Sequence, residues 1–531
     1  MKRSTVMFSR PKLFSFVALA SISSACWHTA SQSGDDATGT GGTSPAMGGQ
    51  AAIGGSAGTG GTATVVAGTG GSVGGASGKG GTGGTGAGSG GTGAAGAPGG
   101  TGGTGTAGTG TAGMAASAGG GAAPMLMRGP TPASSTSKFP FPQNRQSSGC
   151  AYPTAYDNAD VKNVYMAWKN DLVTSDGAGG NLRVKRPAEP GLQQNSTVSE
   201  GIGYGMLIAV YMDDQATFDG LWKYELAHTW QSCPVGGGGC TQTSLMNWYI
   251  ASDGTVATQS SAGEDGTGAA TDADEDMAFA LVMADKQWGG QGSLSKSYLD
   301  SAKQLLGDIW KYEIDNNRLP KTGSSWGGDA TLNISYFAPA YYRVFATVTG
   351  ESRWGKDVVD YIYQVIGQNL TDMNGNKTNG LVPAFSNSTG GPAQASPGQS
   401  LAFNYQYDSC RTPFRIGLDA CWTSEPRALD YVAKTSGFFG GIGAAKIVDG
   451  YQLNGMPQPQ YPDKYNGLSA AFIGPAAVGA MSSTANQSFI DDAWGMLKQN
   501  DMWCGGQYYD ESWTMMSMLM LSGNFLDYTK Y

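Results

Sequence analysis

The chain has 531 residues, 32 of them basic and 41 acidic, with a net charge of −9 and a pI near 4.8. Such a balance repels polyanions, so nucleic acid is not expected as a partner. The two histidines, His28 and His228, leave almost no room for a histidine-ligated metal or a Ser-His-Asp triad, and no cofactor or metal is expected.

The chain opens with Met1-Lys2-Arg3, an apolar stretch from Leu13 to Ala20, and Ser21-Ile22-Ser23-Ser24-Ala25-Cys26. This reads as an export signal over residues 1–26, too short to span a membrane. Small residues directly before Cys26 resemble a bacterial lipoprotein cleavage site, although Ser23 stands where Leu is usual. The resemblance implies a lipid anchor at Cys26 on the outer surface of a bacterial cell, with plain secretion as the alternative. Gly34 to Gly121 is low-complexity Gly, Ala, Thr and Ser, and no aromatic residue occurs from His28 to Lys138. Such a segment buries too little apolar surface to offset its ordering entropy, so residues 27–138 are expected to be a flexible linker. The folded part, 139–531, reads as one domain, and a monomer is expected.

Within it, Val198-Ser199-Glu200-Gly201-Ile202-Gly203-Tyr204-Gly205-Met206 has the signs of a helix start, with Ser199 as cap and Glu200 as a first-turn acid. Gly201, Gly203 and Gly205 each cost a helix about 1 kcal/mol relative to Ala, which suits a place where another backbone or a ligand comes close. Further on, Ala270-Thr271-Asp272-Ala273-Asp274-Glu275-Asp276-Met277 puts four acids before a helix that is apolar on every face to Ala284. A helix of that kind is buried all round, and more carboxylates than a cap needs point to a cleft at its start. A third segment, Tyr407-Asp408-Ser409-Cys410-Arg411, places Asp408 and Arg411 three apart, where on a helix they share a face and the guanidinium keeps the carboxylate ionised.

Apolar stretches at helical spacing recur at Val161–Leu172, Gly203–Met212, Met277–Asp285, Tyr298–Tyr312, Tyr336–Thr347, Asp357–Ile366, Arg427–Thr435, Ala470–Met481, Phe489–Leu497 and Ser512–Leu521. Few segments alternate with period two, so the domain is mainly helical.

The Ala-Thr-Asp-Ala-Asp motif closed by Trp288, the Ser-Glu-Gly motif at Glu200 and the Tyr-Asp-x-x-Arg motif at Asp408, in this order, resemble glycoside hydrolase family 8, the inverting endo-glycanases of β-1,4-linked polysaccharides. The resemblance implies an all-α domain, an (α/α)6 barrel with its cleft across the inner-helix N-termini. It implies Glu200 as general acid, Asp408 as general base and Asp272 as the group positioning the sugar at the cleavage point. Trp248, Trp326 and Tyr336 lie in motifs whose rings line the family's cleft, with Tyr407 and Arg411 also at the substrate. Tyr508 and Tyr509 are further candidates, and Asp274 and Asp276 are left as caps or supporting groups. A general acid needs a pKa near working pH, so burial and the Asp272 cluster must outweigh the helix start at Glu200. The substrate expected is a β-1,4-glucan, with xylan, chitosan or lichenan as alternatives. A non-catalytic glycan-binding module is the reading from a different class.

Six cysteines remain after Cys26, namely Cys150, Cys233, Cys240, Cys410, Cys421 and Cys504. In an exported protein an even number permits disulfides, and the expected pairs are Cys233 with Cys240 and Cys410 with Cys421.

Overall fold

Long segments with almost no polar residue on any face can only be stable when other helices surround them, and this dictates the architecture. A computed structural model describes residues 137–234, 237–393, 402–463, 465–499 and 505–531. The export signal with Cys26, nearly all of the linker, and Cys504 lie outside the described residues.

Twelve helices of eight or more residues occur among the described residues. In chain order they are α1 (Asn158–Leu172), α2 (Ser199–Tyr211), α3 (Gln215–Ala227), α4 (Thr271–Gln287), α5 (Tyr298–Tyr312) and α6 (Pro339–Thr349). There follow α7 (Val359–Asn369), α8 (Thr412–Thr423), α9 (Pro426–Ile442), α10 (Ala470–Ala480), α11 (Gln487–Leu497) and α12 (Tyr508–Leu521). The even-numbered helices pack side by side in a closed ring, α2–α4–α6–α8–α10–α12 and back to α2, and the odd-numbered ones lie outside it. This is an (α/α)6 barrel of six helical hairpins. Helix α2 buries every residue except Glu200, α10 buries all of its residues, and α12 all but Tyr509. The outer α5 instead buries Tyr298, Ser301, Ala302, Leu305, Leu306 and Ile309, one stripe at helical spacing.

The inner helices touch through residues with little or no side chain. A Cβ on Gly203 of α2 would lie 3.0 Å from Asp276 Cβ and 3.1 Å from Ala273 O of α4, and one on Gly474 of α10 would meet Ser517 Oγ of α12 at 2.4 Å. The glycines near Glu200 therefore mark close backbone approach, at Gly203 against α4 and at Gly205 against Leu221 and Val184. Because outer and inner helices alternate along the chain, the inner N-termini gather at one end of the barrel.

Several local expectations are corrected. Ser199 does not cap α2: the cap position is Val198, with no side-chain cap bond, and the Ser199 amide donates to Trp248 O at 2.8 Å. Helix α6 starts at Pro339 and not at Tyr336, because the residue before a proline is pushed out of the helical region, and Ala338 is at φ −118°. Helices α3 and α8 do not stand out in the apolar pattern because both bury charge, Asp219 and Glu225 in one and Arg415 and Asp419 in the other. Among the described residues four two-stranded antiparallel ladders also form, of which Thr197–Val198 with Tyr249–Ile250 leads directly into α2.

The Cys233–Cys240 disulfide is present as expected, but Cys421 pairs with Cys150, and Cys410 is a buried free thiol. Cys410 precedes α8 and Cys421 lies near its far end. Eleven residues of helix separate them by about 16 Å, too far for one disulfide. The Cys150–Cys421 bond spans 271 residues and fixes the start of the domain to α8. Replacing either partner with Ser is expected to lower stability by about 2–4 kcal/mol, because the unfolded chain regains the freedom of that loop. Cys410→Ser leaves this bond in place. Urea unfolding of the three variants under non-reducing conditions checks this.

Candidate active site

The inner-helix N-termini deliver their first-turn side chains to one point. Glu200 is the second residue of α2, Asp272 the second of α4, Arg411 immediately precedes α8, and Tyr508 begins α12. Asp408 sits on a short turn of helix, Tyr407–Cys410, whose start is held by a reciprocal cap between Gln406 and Ser409.

Arg411 is the centre of the cluster and is 1 % exposed. Its Nη1 donates to Glu200 Oε2 at 2.8 Å and to Asp272 Oδ2 at 2.7 Å, and its Nη2 to Asp408 Oδ1 at 3.4 Å. Ser335 Oγ accepts from Nε at 2.9 Å, and the guanidinium lies 5.1 Å from the centre of the Tyr336 ring. Glu200 and Asp408 therefore occupy different nitrogens of one planar fork. Their side chains are 18 % and 29 % exposed, while that of Asp272 is 3 % exposed. Asp272 Oδ1 is buried and has no hydrogen-bond partner.

Three acids, Asp272 buried and the other two partly exposed, share one buried cation, so not all of them are comfortable as anions. Burial raises Glu200 to about 7, against the lowering effect of Arg411 and with a further rise from Asp272. The Tyr508 hydroxyl donates to Glu200 Oε1, and Tyr204 OH donates to Oε2 at 3.1 Å. Burial also raises Asp408 despite Arg411, with Gln406 Nε2 donating to it at 3.4 Å and Asn333 Nδ2 at 3.3 Å. The expectation that the guanidinium alone decides the state of Asp408 is thus incomplete, since desolvation is the larger effect.

Of the two readings left open for Asp274 and Asp276, caps or supporting groups, the structure shows the second. Asp274 accepts from the Met246 amide at 3.2 Å, tying the loop that carries Trp248 to α4, and Asp276 forms a buried two-point ion pair with Arg415 of α8. Trp248 and Trp326 flank the segment that leads into α4. The Trp248 amide donates to Gly268 O at 2.7 Å, and the Trp326 ring lies where a Cβ on Gly268 or Gly323 would be. Tyr407 donates to Asp449 Oδ2 at 3.2 Å, and its ring edge faces Tyr509.

Tyr204, Ser335, Asn333 and Gln406 are site residues that the sequence did not single out. Tyr204 follows Glu200 by four residues, one helical turn, and that spacing was the available signal. The others carry no periodic signature, because they reach the site from a two-residue strand, a single 3-10 turn and a helix cap, all too short to show one.

Removing the guanidinium while keeping its bulk, Arg411→Met, leaves the buried acids without compensation. The variant is expected to lose about 3–5 kcal/mol at neutral pH. Glu200 and Asp408 already stand above their ordinary values with the cation present and rise further without it, so the loss is full only at pH above these raised folded-state values and shrinks as the two acids protonate on acidification. Denaturant unfolding of both proteins at pH 7 and pH 4.5 reads the difference.

The family model for glycosyl hydrolases family 8 matches residues 139–523. The chain is 36 % identical over 372 residues to Endoglucanase A of Acetivibrio thermocellus, covering 69 % of this chain and 70 % of that protein. It is 32 % identical over 417 residues to a beta-glucanase of Niallia circulans, covering 73 % of this chain and 91 % of that protein. A solved apo structure of a beta-1,3-1,4-glucanase from Paenibacillus sp. X4 superposes with a TM-score of 0.62 at 30 % identity, over 73 % of this chain and 99 % of that one. The match spans the barrel from the segment before α1 to the end of α12, the same helices whose N-termini bring the acids together, and the protein belongs to glycosyl hydrolase family 8.

Proposed function

We propose that the protein is an endo-β-1,4-glucanase that hydrolyses internal bonds of cellulose-type chains with inversion, with Glu200 as general acid and Asp408 as general base. One observation carries the assignment: two partly exposed carboxyls sit on opposite nitrogens of the same guanidinium, one of them raised to about 7. A carboxyl that keeps its proton near neutral pH protonates the departing glycosidic oxygen. A second carboxylate on the other face takes a proton from water as that water attacks the anomeric carbon, so a β-linked chain yields the α anomer. The orphaned Asp272 Oδ1 accepts from a hydroxyl of the sugar at the cleavage point, a contact that strengthens as the ring distorts. Trp248, Trp326 and Tyr336 offer ring faces to neighbouring sugars. The glucan preference is supported by the names of the relatives, which are an endoglucanase and β-glucanases.

Residues 1–26 are read as directing export, with Cys26 as the site of a lipid anchor. Residues 27–138 are then a tether that lets the catalytic domain reach an insoluble polymer from the cell surface.

Glu200→Gln and Asp408→Asn are each expected to keep the fold and lose at least about a hundredfold in kcat on carboxymethyl-cellulose, read as new reducing ends. A variant retaining more than a tenth of wild-type turnover removes that residue from its role. The same assay on xylan and chitosan sets the substrate, with wild-type preference for either one overturning the glucan reading.

The pH profile follows from the same two groups. In kcat/KM the alkaline limb is expected near pH 7, where free Glu200 loses its proton, and the acidic limb above the ordinary carboxyl range, where Asp408 is protonated. Tyr508→Phe removes a donor that stabilises the ionised form of Glu200, so the alkaline limb moves to higher pH. A limb that stays in place or moves to lower pH contradicts this.

A further inference from the structure

Asp274 stands two residues beyond Asp272 on α4, which turns its carboxyl roughly 200° around the helix, away from Arg411. There it meets Glu313, the residue that closes α5, and both are 0 % exposed. Asp274 Oδ1 accepts from the Met246 amide at 3.2 Å. Its Oδ2 and both Glu313 oxygens are buried and find no donor in any neighbouring group. The hydrogen bond open to them is the one with each other, and two carboxylates cannot make it. One of the pair must carry a proton.

The surroundings enforce this. Asp272 and Asp308 face Asp274, Glu275 faces Glu313, and Glu225 of α3 faces Asp274 with both of its own oxygens buried and unpartnered. The cation that faces Glu313 is Lys321, whose Nζ donates to Tyr312 O and Ser324 O at 2.8 Å each. Burial holds Asp274 and Glu313 well above the ordinary carboxyl range, and Asp274 adds to the rise at Glu313. Among the described residues no group of three or more His, Cys, Asp or Glu side chains is placed to hold a metal ion, which leaves a proton to join the two carboxyls.

The pair holds parts of the cleft wall. Met246 is two residues before Trp248, whose amide donates to Gly268 O at 2.7 Å. On the other side Glu313 O accepts from the Lys321 amide at 2.7 Å, and the Ser324 amide donates to Ala269 O at 2.9 Å, two residues before Trp326. Glu313 and Asp274 thus join the segments that bear both rings to the first turn of α4, which presents Asp272.

We propose that Glu313 is a positioning residue for the cleft wall: through a proton shared with Asp274 it holds the Met246–Trp248 segment on the start of α4, and loss of that proton at alkaline pH loosens the segment and weakens glycan binding. The inference rests on the reading of the neighbouring acids as a glycan-cleaving site with Trp248 at the sugar.

The test uses Glu313→Gln, whose amide donates at every pH and has no proton to lose. Binding of cellopentaose is measured by calorimetry in the Glu200→Gln protein, which removes the proposed acid and its titration. Between pH 6 and pH 9 the Kd is expected to rise about tenfold with Glu313 in place, the worth of one hydrogen bond to a charged group, and less than about threefold with Glu313→Gln. Adding Trp248→Ala should remove the difference between the two. A Kd that does not respond to pH, or one that responds equally in both proteins, overturns the proposal. Asp274→Asn, which supplies the donor from the other side, should behave as Glu313→Gln does and serves if that variant does not fold.

Urea unfolding gives a second readout. A carboxyl raised in the folded state contributes stability that is full below the unfolded carboxyl range and is lost as pH rises. The fall in unfolding midpoint from pH 5 to pH 9 should therefore be smaller in Glu313→Gln than in wild type, with the variant the more stable at pH 9. A variant weakened by the same amount at every pH overturns the shared proton. If cellopentaose binds at no pH, the glucan reading fails instead, and the unfolding comparison still decides the proton.

Discussion

One buried guanidinium holds the site together. Glu200, Asp272 and Asp408 come from three separate parts of the chain, and each would resist burial as an anion; Arg411 reaches all three with two of its nitrogens. One positive charge does not neutralise three negative ones. The excess is relieved by keeping a proton on one acid, and desolvation together with Asp272 places that proton on Glu200. The same electrostatic shortage that would destabilise an ordinary core thus favours the protonation state that the role proposed for Glu200 requires.

Arg411 can do this only because the inner helices approach closely and end at the same level. Gly203 lets α2 lie against α4, and Gly474 lets α10 lie against Ser517 of α12. A second buried pair, Arg415 with Asp276, ties α8 to α4 one turn below the first. Placing this two-point pair beneath the single Arg411–Asp272 contact limits how far Arg411 can move relative to Asp272, which is a plain reason for a second buried ion pair between the same two helices.

The motifs around Glu200, Asp272 and Asp408 were legible because each sits at the start of a segment with strong local character: a glycine-spaced helix, an apolar helix, and an acid three residues before an arginine. Most inner and outer helices were legible too, since helical periodicity survives wherever burial follows one stripe or covers a whole helix. Helices α3 and α8 were hidden by their charged residues, whose partners lie far away in sequence. Arg343, which pairs with Asp419 of α8, is 76 residues distant. The pairing of Cys421 was misread for a related reason, because proximity in sequence says little when a rigid helix separates two cysteines and a residue 271 positions away is packed alongside.

The sequence by itself determined the helical class, the family and the acids at the helix starts, because these rest on residue type and local spacing. Only the tertiary structure decided which groups share a cation, which acid keeps its proton and which polar atoms are left without partners. Asp274 and Asp276 show the difference: both looked like further members of an acidic cluster, yet one holds the Met246 amide and the other Arg415. Desolvation and long-range pairing are properties of the packed barrel, and both depend on neighbours that no local window of the chain contains.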